Sequence, residues 1–141
     1  MRSKKSEVKG LEKEKLTKGI KRLLEDKIEI LFSYLHGSFM EDIKFNDIDV
    51  AIYVDENMVS REKAMDYEFA LSDELEDAVK LPVDVKVINY APLAFQYHAT
   101  AGKILTCRDE EFMADKVAGI RSLYLDFKPV ADRFLMEMLS G

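Results

Sequence analysis

Cysteine, long apolar runs and positive charge outside the N-terminus are all scarce in this chain. The lone Cys107 excludes an internal disulfide, so a packed core must hold the fold, and it fits a reducing compartment. No apolar run approaches the roughly 20 residues that a membrane-crossing helix needs. The lysine-rich start lacks the apolar stretch of a signal peptide, so cytoplasm is the expected compartment. No internal repeat or low-complexity segment is present. Residues 1–22 carry nine Lys/Arg against three Glu, whereas the remainder carries 12 basic against 24 acidic residues. Such an acidic body argues against wide contact with a nucleic-acid backbone, which needs a positive surface.

What is present describes one ordinary soluble domain spanning 1–141. Of its 141 residues 48% are hydrophobic and 34% charged, enough apolar material for a real core. Residues 1–10 show no clear periodicity and are expected to be flexible. Leu16, Ile20, Leu23 and Leu24 recur at helical spacing and predict an amphipathic helix over 11–26. Ile28, Ile30, Phe32 and Tyr34 alternate, which predicts a strand over 28–35. Ile48, Val50, Ile52 and Val54 predict a second strand over 47–54. A helix over 60–80 follows, with Ser60 at its N-cap and Met65, Phe69, Leu75 and Val79 on its inward face. The acidic run Asp73, Glu74, Glu76, Asp77 reads as a solvated helix face.

A third strand over 81–88 places Val83, Val85 and Val87 on one face and Asp84, Lys86 and Ile88 on the other. A short helix with Pro92 in its first turn, a strand over 103–106 and a long helix capped by Asp109 complete the chain. Pro129 is expected to kink or interrupt that last helix. Its apolar surface exceeds what one small core needs, which points to a homo- or hetero-oligomeric contact. The expected fold is α/β (α+β): a mixed sheet of three or four strands, helices mainly on one face, and a long C-terminal helix.

The segment that bears chemistry is 34–54, YLHGSFMEDIKFNDIDVAIYV. Gly37 and Ser38 lie just past the first strand, and after eight intervening residues Asp47 and Asp49 open the second. Side chains at i and i+2 leave a strand on the same face, so the two carboxylates project together. They repel unless a cation sits between them, and a hard ion such as Mg²⁺ or Mn²⁺ prefers oxygen donors. The crossover helix allows the third strand to lie beside the second, bringing Asp84 to Asp47 and Asp49. Gly37 and Ser38 offer close backbone approach and a hydroxyl, as a polyphosphate needs.

This Gly-Ser, then Asp-x-Asp arrangement resembles the nucleotidyltransferase superfamily that includes DNA polymerase β. The short chain is most similar to its minimal members, the MNT antitoxins paired with HEPN toxins. The resemblance implies catalytic and metal-binding roles for Asp47, Asp49 and Asp84, with two Mg²⁺ ions, and nucleotide-binding roles for Gly37 and Ser38. It further implies ATP as substrate and transfer of AMP to a tyrosine of a HEPN ribonuclease. In that family the aspartates do the chemistry, so His36 reads as a histidine closing a strand. Many members continue Gly-Ser with an apolar pair, a basic residue and a second glycine; here Phe39-Met40 are followed by Glu41 and Asp42, which leaves the phosphate-facing positive charge to Lys44. Asn46 stands where serine is common. Two alternatives remain open: a module that neutralises its toxin by binding alone, and a transferase acting on a small molecule such as an aminoglycoside.

Overall fold

The computed structural model describes residues 2–37 and 47–140, with the side chains of 2–9 outside that description. The elements are α1 (Arg2–Glu25), β1 (Ile30–His36), β2 (Ile48–Val54), α2 (Arg61–Val79), β3 (Val83–Val87), a 3-10 turn (Ile88–Tyr90), α3 (Leu93–Ala99), β4 (Lys103–Cys107) and α4 (Glu110–Ser140). The four strands form one sheet in the order β3-β2-β1-β4. β1 pairs antiparallel with β2 and β4, and β2 pairs parallel with β3 through the α2 crossover. The mixed α+β architecture and the long C-terminal helix match the expectation from sequence. α1 starts at Arg2, nine residues before the predicted start at Leu11.

The helices do not favour one face, as the sequence had suggested. Ile20 and Leu24 of α1 and Leu71, Leu75 and Val79 of α2 pack with the valines and isoleucines of β2 and β3 on one side. Ala99 of α3 with Val117 and Ile120 of α4 pack against Phe32, Tyr34 and Ala51 on the other. A bulge at Leu31 explains part of the misreading. Ile30 pairs with Val54 and Phe32 with Tyr53, so one extra residue in β1 inverts its alternation. Ile30 consequently enters the first core and Phe32 the second, although they are two residues apart. Phe32 stacks on Tyr53 with ring centroids 4.7 Å apart.

Helix α2 also departs from its expected orientation. Met65 and Phe69 are exposed, and Ala64, Leu71, Leu75 and Val79 face inward. The reason lies at the edge of the sheet. The backbone N–H groups of Val83, Val85 and Val87 point away from β2 and donate to Glu76 Oε1 (3.0 Å), Ser72 Oγ (3.1 Å) and Glu68 Oε2 (2.7 Å). Four helical residues rise about 6 Å, close to the roughly 6.6 Å covered by two strand residues, so every fourth residue of α2 meets every second residue of β3. Glu76 therefore seals a strand edge rather than facing solvent, and Glu74 pairs with Lys27 at 2.9 Å.

At the other edge a second bulge, at Leu105, interrupts β4: Ser33 pairs with Thr106 and Tyr34 with Ile104. Inside it, the buried Ser33 and Thr106 hydroxyls bond each other at 2.6 Å. Arg108 follows β4 and ties the chain's start to its sheet. Its guanidinium donates to the carbonyls of Ile30 (2.9 Å), Glu25 (2.8 Å) and Lys27 (2.7 Å), which also suits the negative end of α1. Asp109 caps α4 as expected, its Oδ1 accepting from the Phe112 N–H at 3.1 Å. The helix then runs unbroken through Pro129 to Ser140, against the predicted interruption. Among the described residues no helix is long and apolar enough to cross a membrane.

Candidate active site

The candidate site lies where β1 ends and where β2 and β3 begin. β1 closes at His36, and Gly37 follows with φ +79°, a left-handed conformation open to glycine at little cost. A Cβ at Gly37 would overlap the Asp49 carboxylate, so the missing side chain is also the space in which Asp49 sits. Asp49 is the register partner of His36 on one side and of Asp84 on the other. Asp47 precedes β2 by one residue and is exposed. The crossover thus brings Asp84 beside Asp49, as the alternation of the valine strand implied. Ser38 lies outside the described residues, as do Glu41, Asp42, Lys44 and Asn46.

Electrostatics mark this corner. Burial pushes the Asp49 carboxyl above the usual carboxylate range; His36 opposes the shift, and the charges of Asp84 and Asp47 add to it. Burial lowers the His36 pKa against the pull of Asp49 and Asp84, which keeps the imidazole neutral at pH 7. His36 Nε2 is buried and has no hydrogen-bond partner among the described residues, and the ring meets the Phe95 edge at 5.4 Å. The histidine closes its strand, as expected, and is also a near neighbour of the acids.

The three carboxylates are hard oxygen donors on one side of a rigid sheet, and their mutual repulsion is what a divalent cation would relieve. That donor chemistry fits Mg²⁺ or Mn²⁺. The side chains are not drawn into a finished cage: among the described residues, no group of three or more His, Cys, Asp or Glu stands ready to hold a metal ion. Like charges without a counterion favour separated rotamers, so strand register and the raised pKa of Asp49 carry the case for convergence. Composition gave no signal for the part played by Phe95, which flanks the site from α3 through its contact with His36.

No curated protein matches the chain. Solved structures do. A toxin–antitoxin complex with AMP-PNP matches with a TM-score of 0.71 at 18% identity, covering 87% of this chain and 98% of the other. The MntA-HepT toxin–antitoxin matches with a TM-score of 0.54 at 22% identity, covering 89% and 98%. A tri-AMPylated HEPN toxin of Shewanella oneidensis in complex with MNT antitoxin matches with a TM-score of 0.55 at 20% identity, covering 90% and 98%. At these identities the likeness is one of fold. The family model for polymerase beta nucleotidyltransferases matches residues 18–111, a span that holds both strands of the acidic corner and the crossover between them. The chain belongs to the polymerase beta nucleotidyltransferase family.

Proposed function

We propose that the chain is an antitoxin that transfers AMP from ATP to a tyrosine of a HEPN ribonuclease toxin and thereby silences it. One observation carries the reading: Asp84 is the register partner of Asp49, beside Asp47 and a left-handed Gly37. Family membership and the toxin–antitoxin complexes of the same fold support it. In the transfer, the acceptor oxygen attacks the α-phosphorus of ATP. The bond between that phosphorus and the bridging α–β oxygen breaks, and pyrophosphate leaves with the bonding electrons. The hydroxyl proton passes to a carboxylate, for which Asp84 is the candidate, and then to water.

Asp47 and Asp49 would hold two divalent ions, Asp84 one of them. When bound, such ions lower the pKa of the attacking hydroxyl and neutralise charge on the leaving pyrophosphate. Gly37 would let the phosphates approach the backbone, and Ser38 would offer its hydroxyl to them. Neutral His36 and Phe95 wall the corner and limit water around Asp49.

A protein acceptor suits the surface of α4. Met113, Val117, Ile120 and Tyr124 follow a four-three spacing along the body, and Phe127, Ala131, Phe134 and Met138 continue it beyond. In that second half Phe127 is 58%, Phe134 64% and Met138 66% exposed, an apolar seam at coiled-coil spacing that a partner helix would cover. The acidic residues Glu41 and Asp42, standing where many members carry a basic residue and a glycine, favour a second reading, neutralisation by contact alone. Intact masses of the HEPN partner after incubation with the chain, ATP and Mg²⁺ separate the two. A shift in whole AMP units, lost in Asp47→Asn and Asp49→Asn, is the expected result. A stable complex with an unmodified partner would establish the contact reading. Turnover of an aminoglycoside with ATP and Mg²⁺ would replace both.

A further inference from the structure

A groove of about 490 Å³ lies between α2, the end of β3 and α3, lined in part by Arg61, Met65, Lys86, Tyr90 and Phe95. It opens beside the acidic corner. Lys86 leaves β3 on the same face as Asp84, two residues on, and Phe95 touches both the groove and His36. Its floor is apolar and aromatic. Tyr90 is fixed there, its hydroxyl bonded to the Val59 carbonyl at 2.7 Å, and Arg61 lies 5.1 Å over its ring. Glu68 also lines the groove, one of its carboxylate oxygens accepting from the Val87 N–H, so two cations stand there against one carboxylate. Arg61 and Lys86 are both exposed, and neither takes part in a salt bridge among the described residues.

We infer that this groove is the docking subsite for the acceptor: an extended segment of a protein partner with an apolar anchor flanked by carboxylates. The inference rests on the transferase reading above, and it names the chemistry of that reaction's second substrate. Charge complementarity selects the occupant. From residue 23 onward the chain carries 12 basic and 24 acidic residues, so an acidic segment is repelled over most of the surface and accepted where Arg61 and Lys86 stand. The apolar wall takes the anchor, and the two cations hold the flanks. A hydroxyl carried on the same segment then lies on the Asp84 side of the acids, opposite the Gly37 side assigned to the nucleotide. Met65, exposed on α2 although apolar, becomes part of the contact.

Two fluorescein-labelled octapeptides provide the probe, each with a central tyrosine, one flanked by aspartates and the other by lysines. Wild type should bind the acidic peptide at least about tenfold more tightly by anisotropy, an advantage that fades with salt. The exposed-site double variant Arg61→Glu/Lys86→Glu should reverse the preference, with an unchanged circular dichroism melt confirming its fold. Equal binding of the two peptides, or no binding of either up to about 1 mM, would overturn the inference. So would Arg61→Glu weakening Mg-ATP tenfold in calorimetry while peptide affinity holds, since the groove would then serve the nucleotide. A charge preference that follows the groove residues, with no AMP transfer to any partner, would sink the transferase reading and leave the docking site standing. Transfer that is indifferent to both substitutions would do the reverse.

Discussion

Asp49 and Asp84 face each other in register across the parallel β2–β3 pair, with His36 on the far side of Asp49, and neither acid takes part in a salt bridge among the described residues. A carboxyl whose folded pKa is raised contributes stability below its unfolded value, and that stability is lost as pH rises through the folded value. In the metal-free protein at pH 7 the ionised Asp49 is therefore a cost. Asp49→Asn should melt at higher temperature than wild type at pH 7, with the gap closing toward pH 4. The same variant should lose at least about 100-fold in AMP transfer, since even residues supporting a metal ligand cost 10–100-fold. Scanning calorimetry across pH and a transfer assay check the two halves.

If the acidic corner accepts divalent ions, binding stabilises by mass action. Mg²⁺ or Mn²⁺ at 100 times its dissociation constant should add about 2.7 kcal/mol. Thermal shifts with either ion should rise in wild type and stay flat in Asp49→Asn. Equal shifts in both would place the ion elsewhere.

Gly37→Ala tests the tight packing at the turn. Its φ of +79° costs a side-chain-bearing residue about 1–3 kcal/mol, and the new methyl group overlaps the Asp49 carboxylate. Urea titration should show a loss in that range. Transfer should fall further than stability does, because Asp49 is displaced.

Arg108→Ala removes donors from three backbone carbonyls that join α1 to the sheet. A loss of about 1–3 kcal/mol in urea unfolding is expected, without change in the acidic corner. Arg108→Lys should recover only part of it, since one ammonium cannot span the same three acceptors.

The edge ladder predicts graded effects. Glu68→Ala, Ser72→Ala and Glu76→Ala each leave one strand N–H to water, at about 1–2 kcal/mol apiece. The triple variant should elute in part as higher-order species by size exclusion, because β3 becomes a usable template.

Much of the site was legible from period-two alternation. It placed Asp47 with Asp49 and Asp84 opposite Val83 and Val85, and a crossover helix sufficed to make the two strands neighbours. The bulges at Leu31 and Leu105 were not legible, because an extra residue in a strand leaves no mark in an apolar run. The one at Leu31 is why Ile30 and Phe32 serve different cores. Met65 and Phe69 misled for another reason. Apolar periodicity marks only faces buried against apolar neighbours, whereas the inward face of α2 spends Glu68, Ser72 and Glu76 on a strand's N–H groups. Of the kink or interruption expected at Pro129, the interruption is absent, since a proline late in a strongly helical segment is accommodated without ending it.

The β3 margin of the sheet is closed to backbone pairing by side chains from α2. A macromolecule that recognises this margin must then read side chains, on α2 or in the groove beside Asp84. A contact built on main-chain pairing tolerates sequence drift; one built on side chains does not. On the function proposed above, partners that meet this margin should therefore diverge into mutually blind sets by a few surface substitutions, with the fold and the acidic corner unaltered.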